Sequence, residues 1–530
     1  MDDSQKISAF EKRIKRQVIG KPRRFLAIAP LGFEQTLVEE LKSIGIESTA
    51  VGDGKVEFTT KIVEAWKAVA YSRIANRVLM HIADFKAENF RELEKKASEI
   101  PWELYLPATP DIANIHVTCK HSRLYHSDAI AERLYKVIGE ALGSPAPAVI
   151  PAPSHPDAGQ DQHSSPERHP DEGQDRLLAP ERHPDVGQDQ HLAPERHPDE
   201  GQDRHLATQN LYINFLDDRC TIWLDLAGEE LYKRGQERYV NDAPLKETIA
   251  AGLLFEILLP IRGSCPLRQQ VAKWSKRLRA APSAQDDTSI KVQDDTKVAP
   301  SSTAIPSHTP HYTLFDLMAG SGTFSLEAAY MANGLIPGMC RDFALKHQPA
   351  FKEASWNHIL GRCPGSSDLG INIITSDISE RAVEIIRHNV ECSPLAQAAN
   401  DANTSPIDPQ QRDFFTYTAQ EIASACPVGT QPAIVLNPPY GKRLDCDAPK
   451  LYTQIGRKLT ELSRDLKPLG KSLTVAILAP KDDTRNGAKY TCTSNLLREC
   501  PSLDPARNPK AKKIVTSHGG FSLNALISAL

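Results

Sequence analysis

The chain has 530 residues, of which 25% are charged and 40% hydrophobic, and its formal net charge is −4. That length calls for more than one domain. The composition is that of a globular protein, and the near-neutral balance excludes a global basic field that would gather nucleic acid unaided. Ten cysteines occur without a CxxC pair or a Cys/His ligand spacing, which argues against a zinc site or a disulfide framework, so no metal is expected. The first 25 residues are polar and basic, and no run of 18 apolar residues exists. No membrane is therefore expected, and a cytoplasmic setting fits best.

In chain order, residues 1–22 read as a basic N-terminal tail. Lys12, Arg13, Lys15, Arg16, Lys21, Arg23 and Arg24 fall within 13 positions, and this cluster is either solvated or an arm for phosphates. From Arg23 the pattern mixes strands and helices. "RFLAIAP" and "KVEFTT" read as strands, and "GFEQTLVEELKSIG" as a helix with a glycine stop. "KIVEAWKAVAYSRIANRVLM" is a long helix, and "NIHVTCK" precedes the helix "SDAIAERLYKVIGEAL".

A tract with a 14-residue period follows, carrying "PERHPDEGQDRLLA" at Pro166 and close copies at Pro180 and Pro194. Each copy has prolines, a glycine and charges but few large apolar groups. It cannot bury enough surface to offset its ordering entropy, so residues 144–207 are expected to be a disordered insert. "NLYINFLDDRCTIWLDLA" then reads as two strands about an Asp-Asp turn. The first domain is thus expected over 23–143 and 208–235.

From residue 236 to 530 helices and strands alternate, with a low-complexity insert near 280–311. "YTLFDLMAG", "INIITSD", "AIVLNPP" and "SLTVAILAP" are apolar strands, most followed by a helix. Such alternation predicts an α/β domain with a doubly wound, mainly parallel sheet, whose ligands bind beyond the carboxyl ends of the strands. Three features sit at those ends. The first is a glycine turn, in which Gly320, Ser321 and Gly322 follow Asp316. It fails the dinucleotide fingerprint because Ser325 stands at the third glycine position, and it has no Walker lysine. The second is Asp377, placed to accept from a ribose diol, with Asp413 of "QRDFF" placed to accept from an adenine amine. Together these describe a pocket for an adenosine with a small cationic tail, such as S-adenosylmethionine, whose sulfonium favours a nearby Asp316 carboxylate. The third is "NPPY", Asn437 to Tyr440, where two prolines force the chain out of the sheet.

"DLMAGSGTF", "SDIS", "RDFF" and "NPPYGKRL", in this order, resemble the S-adenosylmethionine-dependent methyltransferases that modify exocyclic amines. "LDLAGEELYKRGQERYVNDAPLKETIAAGLL" is similar to the junction in THUMP-domain RNA methyltransferases, and "HSRLYHSDAIAERL" to the end of their THUMP domain. "FALKHQPAFKEASW" resembles a segment of the bacterial branch, the large-subunit ribosomal RNA guanine-N2 methyltransferases, often catalogued as adenine-N6 DNA methylases. The resemblance covers residues 23–143 and 209–530. It departs at Lys442, where relatives more often carry an acid, and in the single methyltransferase unit, which some relatives duplicate.

The resemblance implies a Rossmann-like class I methyltransferase domain preceded by an α+β, THUMP-containing RNA-binding domain. It adds Ala319, Thr323 and Lys246 to the cofactor residues. The implied substrate is the N2 amine of a guanine in 23S ribosomal RNA, and the implied partner is that RNA or a ribosome assembly intermediate. A tRNA guanine-N2 enzyme, an adenine-N6 nucleic-acid methyltransferase and a non-catalytic assembly factor are the alternatives. In the implied site the Asn437 side-chain oxygen and the Pro438 carbonyl accept the two N–H bonds of the target amine. Pro439 fixes the turn and the Tyr440 ring stacks on the base. The base must be unpaired or flipped out to enter.

Overall fold

The computed structural model describes residues 3–107, 114–143, 209–236, 238–240, 244–258, 312–361, 371–398, 407–441, 447–483 and 491–530. The repeat tract, the insert near 280–311, Lys442 and Arg443 lie outside the described residues.

Two seven-stranded sheets form the protein. The first holds β1 (Arg23–Ile28), β2 (Ser48–Gly52), β3 (Lys55–Thr60), β4 (Arg77–Lys86), β5 (Asn114–Lys120), β6 (Asn210–Leu216) and β7 (Arg219–Asp225). Their order is β2-β3-β1-β4-β7-β6-β5. The ladder is antiparallel except for β5 and β6, which run parallel in the register Asn114↔Asn210 to Lys120↔Leu216. The Asp-Asp turn joins β6 to β7 as read from sequence. Asp217 and Asp218 both take positive φ, at 50° and 62°, as a two-residue hairpin with strand-matched twist requires. The segment expected as a tail is instead a helix, Asp3–Ile14, continued by a wide turn over Lys15–Ile19. Ile14 and Val18 are buried in the core, and Arg13 pairs with Glu103 at 2.7 Å. Apolar residues four apart give this segment a packing face that its dense basic residues obscure.

The second sheet holds β8 (Tyr312–Asp316), β9 (Ile371–Asp377), β10 (Pro409–Gln411), β11 (Gln431–Leu436), β12 (Thr474–Pro480), β13 (Lys512–His518) and β14 (Phe521–Ala529). The order is β10-β9-β8-β11-β12-β14-β13. Strands β8 to β12 pair in parallel, while β14 is antiparallel to both neighbours. The central strands are apolar along their length because helices cover both faces; β11 and β12 are each buried after their first residue. The chain crosses from β8 to β9 on one side and reaches β11 on the other, so the crevice at the carboxyl end of β8 is the topological switch point.

The two sheets share one core. Phe33, ahead of helix Glu34–Ser43, packs so closely on helix Glu247–Leu258 that a Cβ at Gly252 would lie 2.6 Å from its ring. Beside this contact Glu327, on the helix Thr323–Ala332 after β8, receives two guanidinium groups. Arg234 lies 2.9 Å away and Arg73, from the first-sheet half, 3.4 Å away. All three side chains are buried, at 1%, 4% and 9% exposure for Glu327, Arg234 and Arg73.

Candidate active site

A cleft of about 580 Å³ opens at the switch point, a size suited to a cofactor-sized ligand. Its walls are the loops that follow β8, β9, β10 and β11, together with the β13–β14 turn. Of the residues expected to form the site, Ala319, Gly320, Ser321, Thr323, Asp377, Asp413, Asn437, Pro438, Pro439 and Tyr440 all line this cleft.

The glycine turn is held from two sides. Gly320 and Gly322 adopt φ of +56° and +77°, values that side chains tolerate poorly. Asp377 ends β9 beside it, and its carboxylate accepts from Gly320 N and from Ser379 N, each at 2.9 Å. From outside, the Arg238 guanidinium donates to Thr323 Oγ1 at 2.6 Å and to Ser321 O at 3.2 Å, while also pairing with Glu247. Asn389 links the segment around Arg238 to the turn, donating to Tyr239 O at 2.9 Å and Ser321 O at 3.1 Å. Sequence reasoning missed Arg238 and Asn389, because neither belongs to a short motif.

Three expected cofactor residues do not line the cleft. Asp316 is fully buried beneath the turn. Its Oδ2 accepts from Ser325 N at 3.1 Å and Ser325 Oγ at 2.8 Å. Ser325, which broke the dinucleotide fingerprint, is thus the partner of the strand-ending acid. The Asp316 Oδ1 has no hydrogen-bond partner among the described residues. Burial, with a further push from the Asp377 charge, raises its pKa from 3.8 to about 7 against the lowering effect of the Ser325 bonds. Gly322 faces Ile386, inside the fold. Lys246 lies just ahead of helix Glu247–Leu258, and its Nζ sits 4.8 Å over the Tyr232 ring, where a cation–π contact holds it.

The acids and their neighbours fit an adenosine. Asp413 Oδ1 accepts from Phe415 N at 3.0 Å, which fixes the loop that follows β10. Ile378 and Phe415 line the cleft beside the two acids, and Ile378 is 67% exposed. An apolar side chain left so open in a cleft has surface that a planar base would cover. Ile378 directly follows Asp377 and Phe415 stands two residues after Asp413, acids that the sequence did flag.

At the β11 side the register pairs Val435 with Asp316, so Asn437 leaves the sheet beside the glycine turn. Tyr440 Oη donates to Asn437 Oδ1 at 2.6 Å. The Tyr440 ring, expected to stack on a base, packs on Phe521 with centroids 5.3 Å apart and planes tilted by 55°. Phe521, His518 and Gly519 line the cleft as well, and sequence reasoning did not include them. Their signal was the Gly519-Gly520 pair between two strands, a hairpin cue. Among the described residues no group of three or more His, Cys, Asp or Glu is arranged to hold a metal. No helix among them is long and apolar enough to cross a membrane.

A seven-stranded sheet with one antiparallel strand near its edge, a glycine turn after its central strand and acids after the next two strands defines a class I methyltransferase domain. Comparison with known families agrees. Residues 303–479 match the RMKL-like methyltransferase domain, and residues 24–79 match the RlmL ferredoxin-like domain. The chain carries both domain types, and S-adenosylmethionine is the cofactor of the methyltransferase class. It is 24% identical over 441 residues to ribosomal RNA large subunit methyltransferase K/L of Marinomonas sp., covering 81% of this chain and 45% of the relative. The chain therefore spans about half the length of that K/L relative. It is also 24% identical over 433 residues to YpsC of Bacillus subtilis, named as a candidate RNA methyltransferase, covering 80% of each. The fold matches SMU.472, described as a candidate methyltransferase complexed with SAH, at a TM-score of 0.59 and 20% identity, over 96% of this chain and 98% of that one.

Proposed function

We propose that this chain methylates an exocyclic amine of large-subunit ribosomal RNA, the N2 of a guanine, in the cytoplasm. The observation that carries the reading is one cleft bounded both by the glycine turn with Asp377 and Asp413 and by Asn437–Tyr440. The RNA part rests on the RlmL-type domain and on the names of the K/L relatives.

Bound S-adenosylmethionine supplies an electrophilic methyl group. The residues of this chain do the rest. Asp377 and Asp413 accept from ribose and adenine groups, and Ile378 and Phe415 cover the adenine faces. A ring amine is a weak nucleophile because its lone pair is delocalised into the base. Asn437 Oδ1 keeps one acceptor position beyond the Tyr440 bond, and with the Pro438 carbonyl it accepts both amine protons. That aims the lone pair and offsets the positive charge that develops. Positioning supplies much of the remaining rate.

The test uses purified protein, labelled cofactor and RNA from cells lacking the protein. Transfer to 23S RNA, followed by nucleoside mass spectrometry showing N2-methylguanosine, is the expected result. Label in tRNA alone, or in N6-methyladenosine, overturns the substrate assignment. No transfer to any RNA overturns the enzymatic reading.

A further inference from the structure

We infer that the helix Asp3–Ile14 and the wide turn Lys15–Ile19 present a phosphate-contacting face to structured RNA, carried by Lys12, Lys15, Arg16 and Lys21. The inference rests on the RNA-substrate reading above and assigns a contact outside the catalytic cleft. The helix stands ahead of residues 24–79, which match the RlmL ferredoxin-like domain.

Seven cations crowd residues 12–24, and the fold sorts them. Three are bound to neighbours within the protein. Arg13 pairs with Glu103 at 2.7 Å. Arg23 donates to Gln17 O and to Tyr105 Oη, each at 2.7 Å. Arg24 lies 3.6 Å from Glu57 and 3.5 Å from Asp84, and over the Trp223 ring. The other four, Lys12, Lys15, Arg16 and Lys21, are exposed and have no ion-pair partner among the described residues. From residue 12 to residue 21 the chain carries five cations and no acid, against a net charge of −4 for the whole.

The row is anchored, and its apolar side is already covered. Ile14 and Val18 are 5% and 0% exposed, and Phe10 and Ile19 pack against the same core. Gly20 N donates to Lys15 O at 2.8 Å and closes the wide turn, a form that inserts one extra residue into a helix. A basic helix lies on a membrane through its apolar face, and here the protein itself occupies that face. Phe10 is the sole aromatic residue before Phe25, and it packs inward, so the segment offers no ring for stacking a base. What it does offer is a set of cations held at fixed places, which suits phosphates and adds affinity and orientation without reading sequence. Docking the helix on the core also removes in advance the ordering cost that a loose arm meets on binding.

The experiment compares wild type with two variants of the full chain, with thermal melts as the folding control. One variant removes the four charges by Lys12→Gln, Lys15→Gln, Arg16→Gln and Lys21→Gln. The other keeps them by Lys12→Arg, Lys15→Arg and Lys21→Arg. Filter binding to 23S RNA is measured over a range of salt. The glutamine variant should bind at least ~10-fold more weakly at low salt, and its plot of log affinity against log salt should be shallower by about 3 for the four lost contacts. The arginine variant should match wild type in both, and kcat at saturating RNA and cofactor affinity should be unchanged throughout. A folded glutamine variant with wild-type affinity and slope overturns the assignment. So does sedimentation of wild type with phosphatidylserine vesicles that the glutamine variant loses while its RNA binding stays the same. A wild type that binds 23S RNA and methylates no RNA overturns the proposed function instead.

Discussion

Tyr440 and Asn437 are joined by a 2.6 Å hydrogen bond, with the phenol donating to the amide oxygen. The turn thus carries its own brace, since Phe521 fixes the tyrosine ring and the tyrosine fixes the asparagine. Asn437→Ala should lower kcat by about 100-fold or more, the cost of removing a charge-stabilising acceptor, with cofactor affinity intact. Tyr440→Phe keeps the ring packing and loses the brace, and its kcat should fall about 10-fold through misplacement alone. Single-turnover kinetics with calorimetric cofactor binding separates the two. Loss of cofactor affinity in Asn437→Ala would overturn the division of roles.

The buried acid below the glycine turn makes stability depend on pH. Asp316 titrates near 7 in the fold and near 4 in an unfolded chain. Between these values the fold binds more protons than the unfolded chain, so stability falls as pH rises from about 4 to about 7 and is level above. Asp316→Asn keeps an acceptor for Ser325 and removes this titration. Melting curves of cofactor-free protein from acid to neutral pH should therefore decline for wild type relative to Asp316→Asn. Parallel curves would show that the carboxyl stays ionised throughout.

The two glycines of the turn should fail in different ways. A Cβ at Gly322 would sit 3.0 Å from Ile386 Cγ1 in a left-handed backbone, whereas one at Gly320 meets nothing within 4 Å. Gly322→Ala should therefore unfold at a clearly lower temperature, by strain and crowding together. Gly320→Ala should lose about 1 kcal/mol from the left-handed backbone, but its methyl group enters the cleft and should weaken cofactor binding. Calorimetry of both variants, by melting and by titration, checks the pair.

Glu327 lies between Arg73 and Arg234 with all three side chains buried. Glu327→Gln removes the carboxylate that both buried guanidinium groups touch and should cost about 3–5 kcal/mol. Urea unfolding should show this as a lower midpoint with an unchanged slope.

Much of this was legible along the chain. The glycine turn, the acids after β9 and β10 and the NPPY exit are local signals, and the fold brings them to one cleft. So is the Asp217-Asp218 turn, because backbone handedness is set by the residues themselves. Other features were not legible: the segment read as one long helix from Lys61 is the helix Ile62–Tyr71 followed by β4, and three further cases lie at the site. The direction of the Asp316 side chain depends on Ser325 one helical turn into the next element, and residue spacing does not say which of them faces solvent. Lys246 stands two residues after Pro244, and its partner, Tyr232, lies too far back along the chain for residue spacing to pair them. The contact of Phe521 with Tyr440 joins residues far apart in sequence, and only the pairing of β14 between β12 and β13 creates it.

The parallel pairing of β5 with β6 has a consequence for the repeat tract. Parallel neighbours must be joined by a crossover, and here the crossover contains the helix Ser127–Leu142 and then residues 144–208. Both ends of that connection are pinned, by the left-handed Gly143 that closes the helix and by the buried Gln209 bonded to Ala344 O. The register of β5 on β6 is thus set by the elements that carry these two anchors, and the number of 14-residue units written between them does not enter it.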